Sequence, residues 1–288
     1  MASRRKRQLA GGLVALIFGM LGANQASSEP LTVRIGFANI GADNRQFSGG
    51  SSAAIAHSEH YVERELIDHP EIKIEWSFFK GAGPAVNEAL ANNQLDFAYQ
   101  GDLPSIIGRA NGLKTRILLA TGAHAPIYLA VPVGSPVRKV ADLRGRKVSI
   151  FRGTNNHLSA VKVLAGYGLH ERDVQVINMD TATTNAALTS RDIDAAFGNF
   201  PLAGLVDKNI AEIVYTAKGD NPAYERQAAL IGQEAFITAH PDITQKIVSA
   251  IVRAARWSSD EANREAFFEI SARSGFPASG YRFDFQDQ

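Results

Sequence analysis

Two distant stretches of this chain read alike. Residues 87–99 are NEALANNQLDFAY and residues 185–197 are NAALTSRDIDAAF, and they align without a gap. Asn87/Asn185, Ala89/Ala187, Leu90/Leu188, Asp96/Asp194 and Ala98/Ala196 are identical, while Leu95/Ile193 and Tyr99/Phe197 are conservative pairs. A solenoid would show several shorter periods, so one pair at long spacing implies two similar halves. Each copy joins a helix-like stretch to a short apolar strand, which makes each half an α/β lobe, and two facing lobes enclose a cleft. The paired Asp96 and Asp194 are read as a shared structural feature rather than an acid–base pair. The repeat is then scaffold, and ligand selectivity belongs to the turns at its edges, which differ between the copies.

The rest of the chain alternates strands and helices. Residues 31–37 (LTVRIGF) alternate apolar and polar side chains before a loop rich in Gly, Asn and Ser, and predict the first strand. Ser51 and Ser52 suit the cap of a following helix that places Ile55, Val62 and Leu66 on one face. Residues 72–79 predict the second strand. After the turn Lys80-Gly81-Ala82-Gly83 comes Pro84, which suits a helix's first position because its missing N–H would have no partner there. Further strands are expected at 95–100, 115–121, 148–151, 174–178 and 193–197, and a long amphipathic helix at 241–257. Residues 127–133 and 228–231 are extended apolar runs suited to crossing between lobes. The pattern predicts an α/β fold of two similar lobes with open, largely parallel sheets. Its expected organisation is a leader at 1–28, one lobe from 29–125 with 228–288, and a second lobe at 126–227.

The leader reading rests on Arg4-Arg5-Lys6-Arg7, an apolar run at 9–21 too short to span a bilayer, and small residues Ala26-Ser27-Ser28 at a cleavage site. The expected location is the periplasm, after cleavage. Subtracting the leader's four basic residues takes the formal charge from +1 to −3, leaving a mildly acidic chain with no basic run for nucleic acid. There is no cysteine, so disulfides and thiolate chemistry are excluded. No P-loop, G-x-G-x-x-G or G-x-S-x-G motif occurs, and neither cofactor nor catalysis is expected. His57 and His60 are three apart on a predicted helix, but no carboxylate-rich motif or third ligand is evident beyond Glu59 and Glu63, and both are read as helix surface.

The motifs VRIGF, FFKGAGP, NEALANNQLDFAYQGDLPS, VADLRGRKVSIFRGTNNH, DIDAAFGNFP and AFITAHPDI occur in that order. In this order the chain resembles the periplasmic substrate-binding proteins of ABC importers for sulfonates, taurine and nitrate. The resemblance implies lobes joined by two hinge strands, of the type II periplasmic-binding-protein kind, closing over a small anionic ligand. It implies an ABC permease as partner and a monomeric chain that binds no nucleic acid. Two alternatives stay open: an enzyme on the same fold acting on a small metabolite such as a pyrimidine precursor, and a sensor subunit serving a receptor kinase. The chain departs from the family pattern at Gly198-Asn199-Phe200-Pro201-Leu202, where many members carry a Trp followed by Asp-Pro-Tyr. It also ends earlier than members usually do.

In open α/β sheets, ligands bind beyond the carboxyl ends of strands. Helix N-termini there present unpaired N–H groups that favour an anion. The candidate contacts are Ser51 and Ser52, the turn Gly81-Ala82-Gly83, Gln100, Asp102, Thr154 and Asn155, with Phe200 against the ligand's apolar part. Asp102 would repel an anion unless it caps its helix or binds an amine. Lys80 and Arg152 follow strands and carry the charge to pair with an anion, though loop cations are commonly solvated.

Overall fold

The repeat marks the same place in two five-stranded sheets. In the computed structural model, which describes residues 30–285, one sheet holds β1 (Leu31–Phe37), β2 (Ile72–Phe78), β3 (Phe97–Gly101), β4 (Thr115–Ala125) and β10 (Arg226–Gln233). The other holds β5 (Tyr128–Pro132), β6 (Lys147–Ser149), β7 (Gln175–Ile177), β8 (Ala195–Gly198) and β9 (Ala211–Thr216). The expected leader lies outside the described residues. Strand orders are β2-β1-β3-β10-β4 and β7-β6-β8-β5-β9, the same arrangement built twice. In the first sheet β1 is parallel to β2 and β3, and β10 is antiparallel to β3 and β4. In the second, β6 is parallel to β7 and β8, and β5 is antiparallel to β8 and β9. The reversed strand of each sheet is the one by which the chain arrives from the other.

Helices cover both faces of each sheet. In chain order they are α1 (Ser52–Ser58), α2 (Tyr61–Glu65), α3 (Ala82–Ala91), α4 (Asp102–Ala110), α5 (Asn155–Gly166), α6 (Thr181–Ser190), α7 (Ala203–Val206), α8 (Glu234–Ala239), α9 (Pro241–Ser259), α10 (Arg264–Ala272) and α11 (Ala278–Phe285). The amphipathic α9 buries Ile247, Ala250, Ile251 and Ala254 with Val33, Ile35 and Phe37 of β1. Opposite that face, α3 contributes Val86 and Leu90 to a cluster with Leu95, Ala98 and Ile231. The second sheet is packed likewise, with Val148, Ala160 and Val163 in one cluster and Ala130, Leu188 and Ala196 in another. Fully burying a Val, Leu or Ile side chain contributes about 1.5–3 kcal/mol, so these faces fix which way each helix lies.

The two copies of the repeat fall on α3–β3 and α6–β8, the third strand of each sheet with the helix before it. Their aspartates do the same work. Asp96 donates its N–H to the Arg34 carbonyl and accepts the Arg34 N–H on its carboxylate, both at 2.8 Å. Asp194 repeats this with Lys147, at 2.9 and 2.8 Å. Each carboxylate therefore closes the start of a third strand onto the first strand.

Several expectations change. The helix after Ser51 is two helices, broken at His60 (φ 53°), although Ile55, Val62 and Leu66 are buried as the spacing requires. His57 is no surface residue: the rings of Phe47, Trp76 and Phe78 lie 5.0–5.4 Å from it. Burial holds its pKa down to about 4, with a smaller contribution from His60. The strand β9 had no sequence signal, because it is an edge strand, mostly half-exposed, without a clean alternation. Finally, α11 straddles both halves. Tyr281 is buried in the first sheet's core, while Phe283 packs against Tyr128 in the second (ring centroids 5.1 Å).

Candidate functional site

Because both sheets run strand-to-helix in the same sense, helices α1, α3, α4, α5 and α6 all begin at one cleft between them. Its cavity is about 570 Å³ and takes lining from Ser51, Ala82, Gly101, Thr154 and Asp180, at or beside those five starts. Three of the starts are capped by side chains. Ser51 Oγ accepts the Ala54 N–H (3.1 Å), Thr154 Oγ1 accepts that of His157 (3.4 Å), and an Asp180 carboxylate oxygen accepts that of Thr183 (2.9 Å). Burial pushes the Asp180 carboxyl up, but the Thr183 hydrogen bonds and the Lys80 ammonium together hold it below its ordinary value. Lys80, following β2, and Asp180, following β7, are 3.6 Å apart and join the two sides of the cleft.

At the hinge lies Arg226, the first residue of β10. Among the described residues it is the one buried Arg or Lys, at 9% exposure, and it lines the cleft. Its Nε donates to the Pro126 carbonyl (2.9 Å), in the link between β4 and β5, so it ties one crossing to the other. No carboxylate among the described residues comes within ion-pairing distance of it. Burial pulls its pKa down, opposed by Asp284, Tyr128 and Asp102 in that order. Asp284, on the cleft wall, accepts the Tyr128 hydroxyl at 2.7 Å. Burial raises its pKa, against the pull of Arg226, Tyr128 and Lys218.

Of the residues singled out from sequence, Ser51, Ala82, Gly83, Gln100, Thr154, Asn155 and Phe200 line the cleft, as does Lys80. Ser52, Gly81, Asp102 and Arg152 do not. Ser52 is already inside α1, one residue past the cap, and Gly81 is exposed. The Asp102 carboxylate accepts the N–H of Leu103 (2.8 Å), and Arg152 pairs with Glu171 (3.2 Å). Gly83 serves helix packing, since a Cβ there would sit 2.4 Å from the Pro104 ring. Gln100 donates to Asn87 (3.1 Å), Asn155 donates to the Gln227 carbonyl (3.1 Å), and Phe200 leans on Tyr281 with ring centroids 4.3 Å apart. Sequence reasoning missed Arg226, Asn185 and Asp284, whereas Asn156 and Asp180 lie in a helix-start corner and an edge turn that it marked. Arg226 directly follows Glu225, so in the sequence it reads as one of an ordinary pair of loop charges.

Two sheets of identical order, joined by two crossings and facing over a cleft ringed by helix starts, define a bilobal ligand-binding fold. The chain belongs to the NMT1/THI5-like family, which matches residues 74–263. It is 31% identical over 194 residues to an Escherichia coli K12 protein named for aliphatic-sulfonate binding, covering 66% of this chain and 54% of that relative. The chain thus spans about half the length of that relative. A Methylobacillus flagellatus structure, named as a periplasmic sulfonate-binding protein of an ABC transporter, is similar at 27% identity and TM-score 0.74, covering 90% of this chain and 78% of that one. The desulfurization enzyme DSZB shares the fold at 17% identity and TM-score 0.62, covering 87% of this chain and 82% of that one, so the fold hosts catalysis as well as binding.

Proposed function

We propose that this chain is the solute-binding component of an ABC importer and captures a small anion, an aliphatic sulfonate or a similar anion such as taurine or nitrate, in the interlobe cleft. The observation behind this reading is Arg226. Among the described residues no carboxylate lies within ion-pairing distance of this buried cation, and Asp284 and Asp102 act on it only from further off, so an incoming anion supplies a direct partner and offsets part of the cost of burying it. The helix starts around the cleft add about 0.3–1 kcal/mol each for an anion close to them. Relatives named for sulfonate binding support the same ligand class. A ligand touching both sheets favours the state in which they are close, so binding and hinge closure are one equilibrium. In this reading the leader directs the chain to the periplasm, where it acts as a monomer and presents its ligand to a permease.

A thermal-shift panel of aliphatic sulfonates, taurine and nitrate tests the proposal, because a ligand specific to the folded state raises its melting temperature. At least one sulfonate is expected to stabilise the protein. No shift with any compound refutes anion capture, and chemical conversion of a bound compound refutes a purely binding role.

A further inference from the structure

The repeat contains one asparagine that does two different things. In the first copy, Asn87 is fully engaged: its Nδ2 donates to the Pro104 carbonyl (2.8 Å) and its Oδ1 accepts from Gln100 Nε2 (3.1 Å). Counting along the alignment, the position of Gln100 is taken in the second copy by Gly198. Asn185, the counterpart of Asn87, has thereby lost its partner. Its Oδ1 is buried with no hydrogen bond, and its side chain makes none among the described residues. Where the glutamine side chain is missing there is a small cavity of about 20 Å³, lined by Gly198, Asn185 and Asn156 among others. The Oδ1 of Asn156, in the first turn of α5, is likewise buried and unpartnered. Residues Phe151, Asn156, Thr181, Asn185, Asn199 and Pro201 line both this cavity and the main cleft, so the one adjoins the other.

Resting on the anion-binding reading above, we infer that Asn156 and Asn185 form a second subsite, which takes a hydrogen-bond-donating end group of the ligand such as a hydroxyl or ammonium. The space fits a group about the size of one water. Two buried carbonyl oxygens without donors are costly to leave unpaired, and each hydrogen bond regained is a discrimination against a ligand that ends in a methyl group. The subsite therefore selects for a sulfonate with a polar far end over a plain alkanesulfonate.

Calorimetric titrations with pairs of sulfonates that differ only in a terminal methyl or hydroxyl, at chain lengths of two to four carbons, test this. For at least one length the hydroxyl compound is expected to bind about tenfold more tightly. In Asn185→Ala and Asn156→Ala that ratio should fall to about one, read within each variant so that any change in affinity common to both compounds cancels. Among the described residues neither side chain makes a hydrogen bond that holds the fold, so both variants should melt close to the wild type. Asn87→Ala is the control: it should lower the melting temperature and leave the ratio alone. If the wild type shows no hydroxyl preference at any length, or the preference survives in both variants, the subsite is refuted. If sulfonates fail to bind at all, the binding reading itself falls and the subsite with it.

Discussion

Replacing Arg226 separates a ligand anchor from a structural cation. Among the described residues its guanidinium makes one hydrogen bond, to the Pro126 carbonyl, and has no carboxylate within ion-pairing distance where it faces the cleft. Arg226→Met keeps much of the buried stem and removes the charge. The unliganded protein loses a charged hydrogen bond worth about 1.5 kcal/mol but no longer buries a cation that lacks a direct ion pair, so its stability should change by about 1 kcal/mol or less. Binding should suffer far more. Hydrogen bonds between a charged donor and an anion contribute about 1.5–3 kcal/mol each, so a loss of about 3 kcal/mol, roughly 150-fold in Kd, is expected. Arg226→Lys keeps a point charge without the planar fork and should recover only part of that loss. Calorimetric titration with the strongest stabiliser from the sulfonate panel reads the affinity, and scanning calorimetry without ligand reads the stability. If Arg226→Met binds the ligand as the wild type does while melting early, the residue is a structural hinge cation and the reasoning is wrong.

The repeated aspartates should differ in weight. Asp96 is buried and also takes two bonds from the Arg34 guanidinium (3.0 and 2.8 Å), so Asp96→Ala should cost about 3 kcal/mol in chemical denaturation. Asp194, with its nearest guanidinium nitrogen at 3.9 Å, should cost about 1 kcal/mol, and equal losses would contradict this. His57 is held at about 4 when folded against an ordinary 6.5, so the unfolded chain takes up its proton first and stability falls as pH drops through that window. Allowing for partial solvent contact, about 1–2 kcal/mol of the acid loss should vanish in His57→Phe, read from melts at pH 7 and 4.5; an unchanged acid loss would refute the assignment. Ala82 sits at φ 52° at the start of α3, where only glycine is unstrained. Ala82→Gly should therefore raise stability by about 1 kcal/mol, and a lower melting temperature would show that the strain is not there.

Much of the architecture was legible because it is periodic or repeated. The pairing of residues 87–99 with 185–197 located the third strand of both sheets, and the aspartates in it proved to be strand-closing groups. Half-buried edges were harder: β9 lacks the alternation that burial on one face imposes. His57 was misread because its three-residue spacing from His60 says nothing about rings that arrive from β2 and the loop at Phe47. The cleft was legible at its helix starts, since caps are local sequence signals. Arg226, Asn185 and Asp284 were not legible, because their roles depend on what stands opposite them after folding. For Asn185 the deciding difference is a glycine thirteen residues further on, at Gly198.

A crystal structure of the chain with the strongest sulfonate from the panel tests the central claim most directly. The sulfonate oxygens are predicted within about 3 Å of the Arg226 guanidinium, in the cleft between the two sheets. A sulfonate bound elsewhere, or in the cleft with Arg226 turned away from it, would contradict the account.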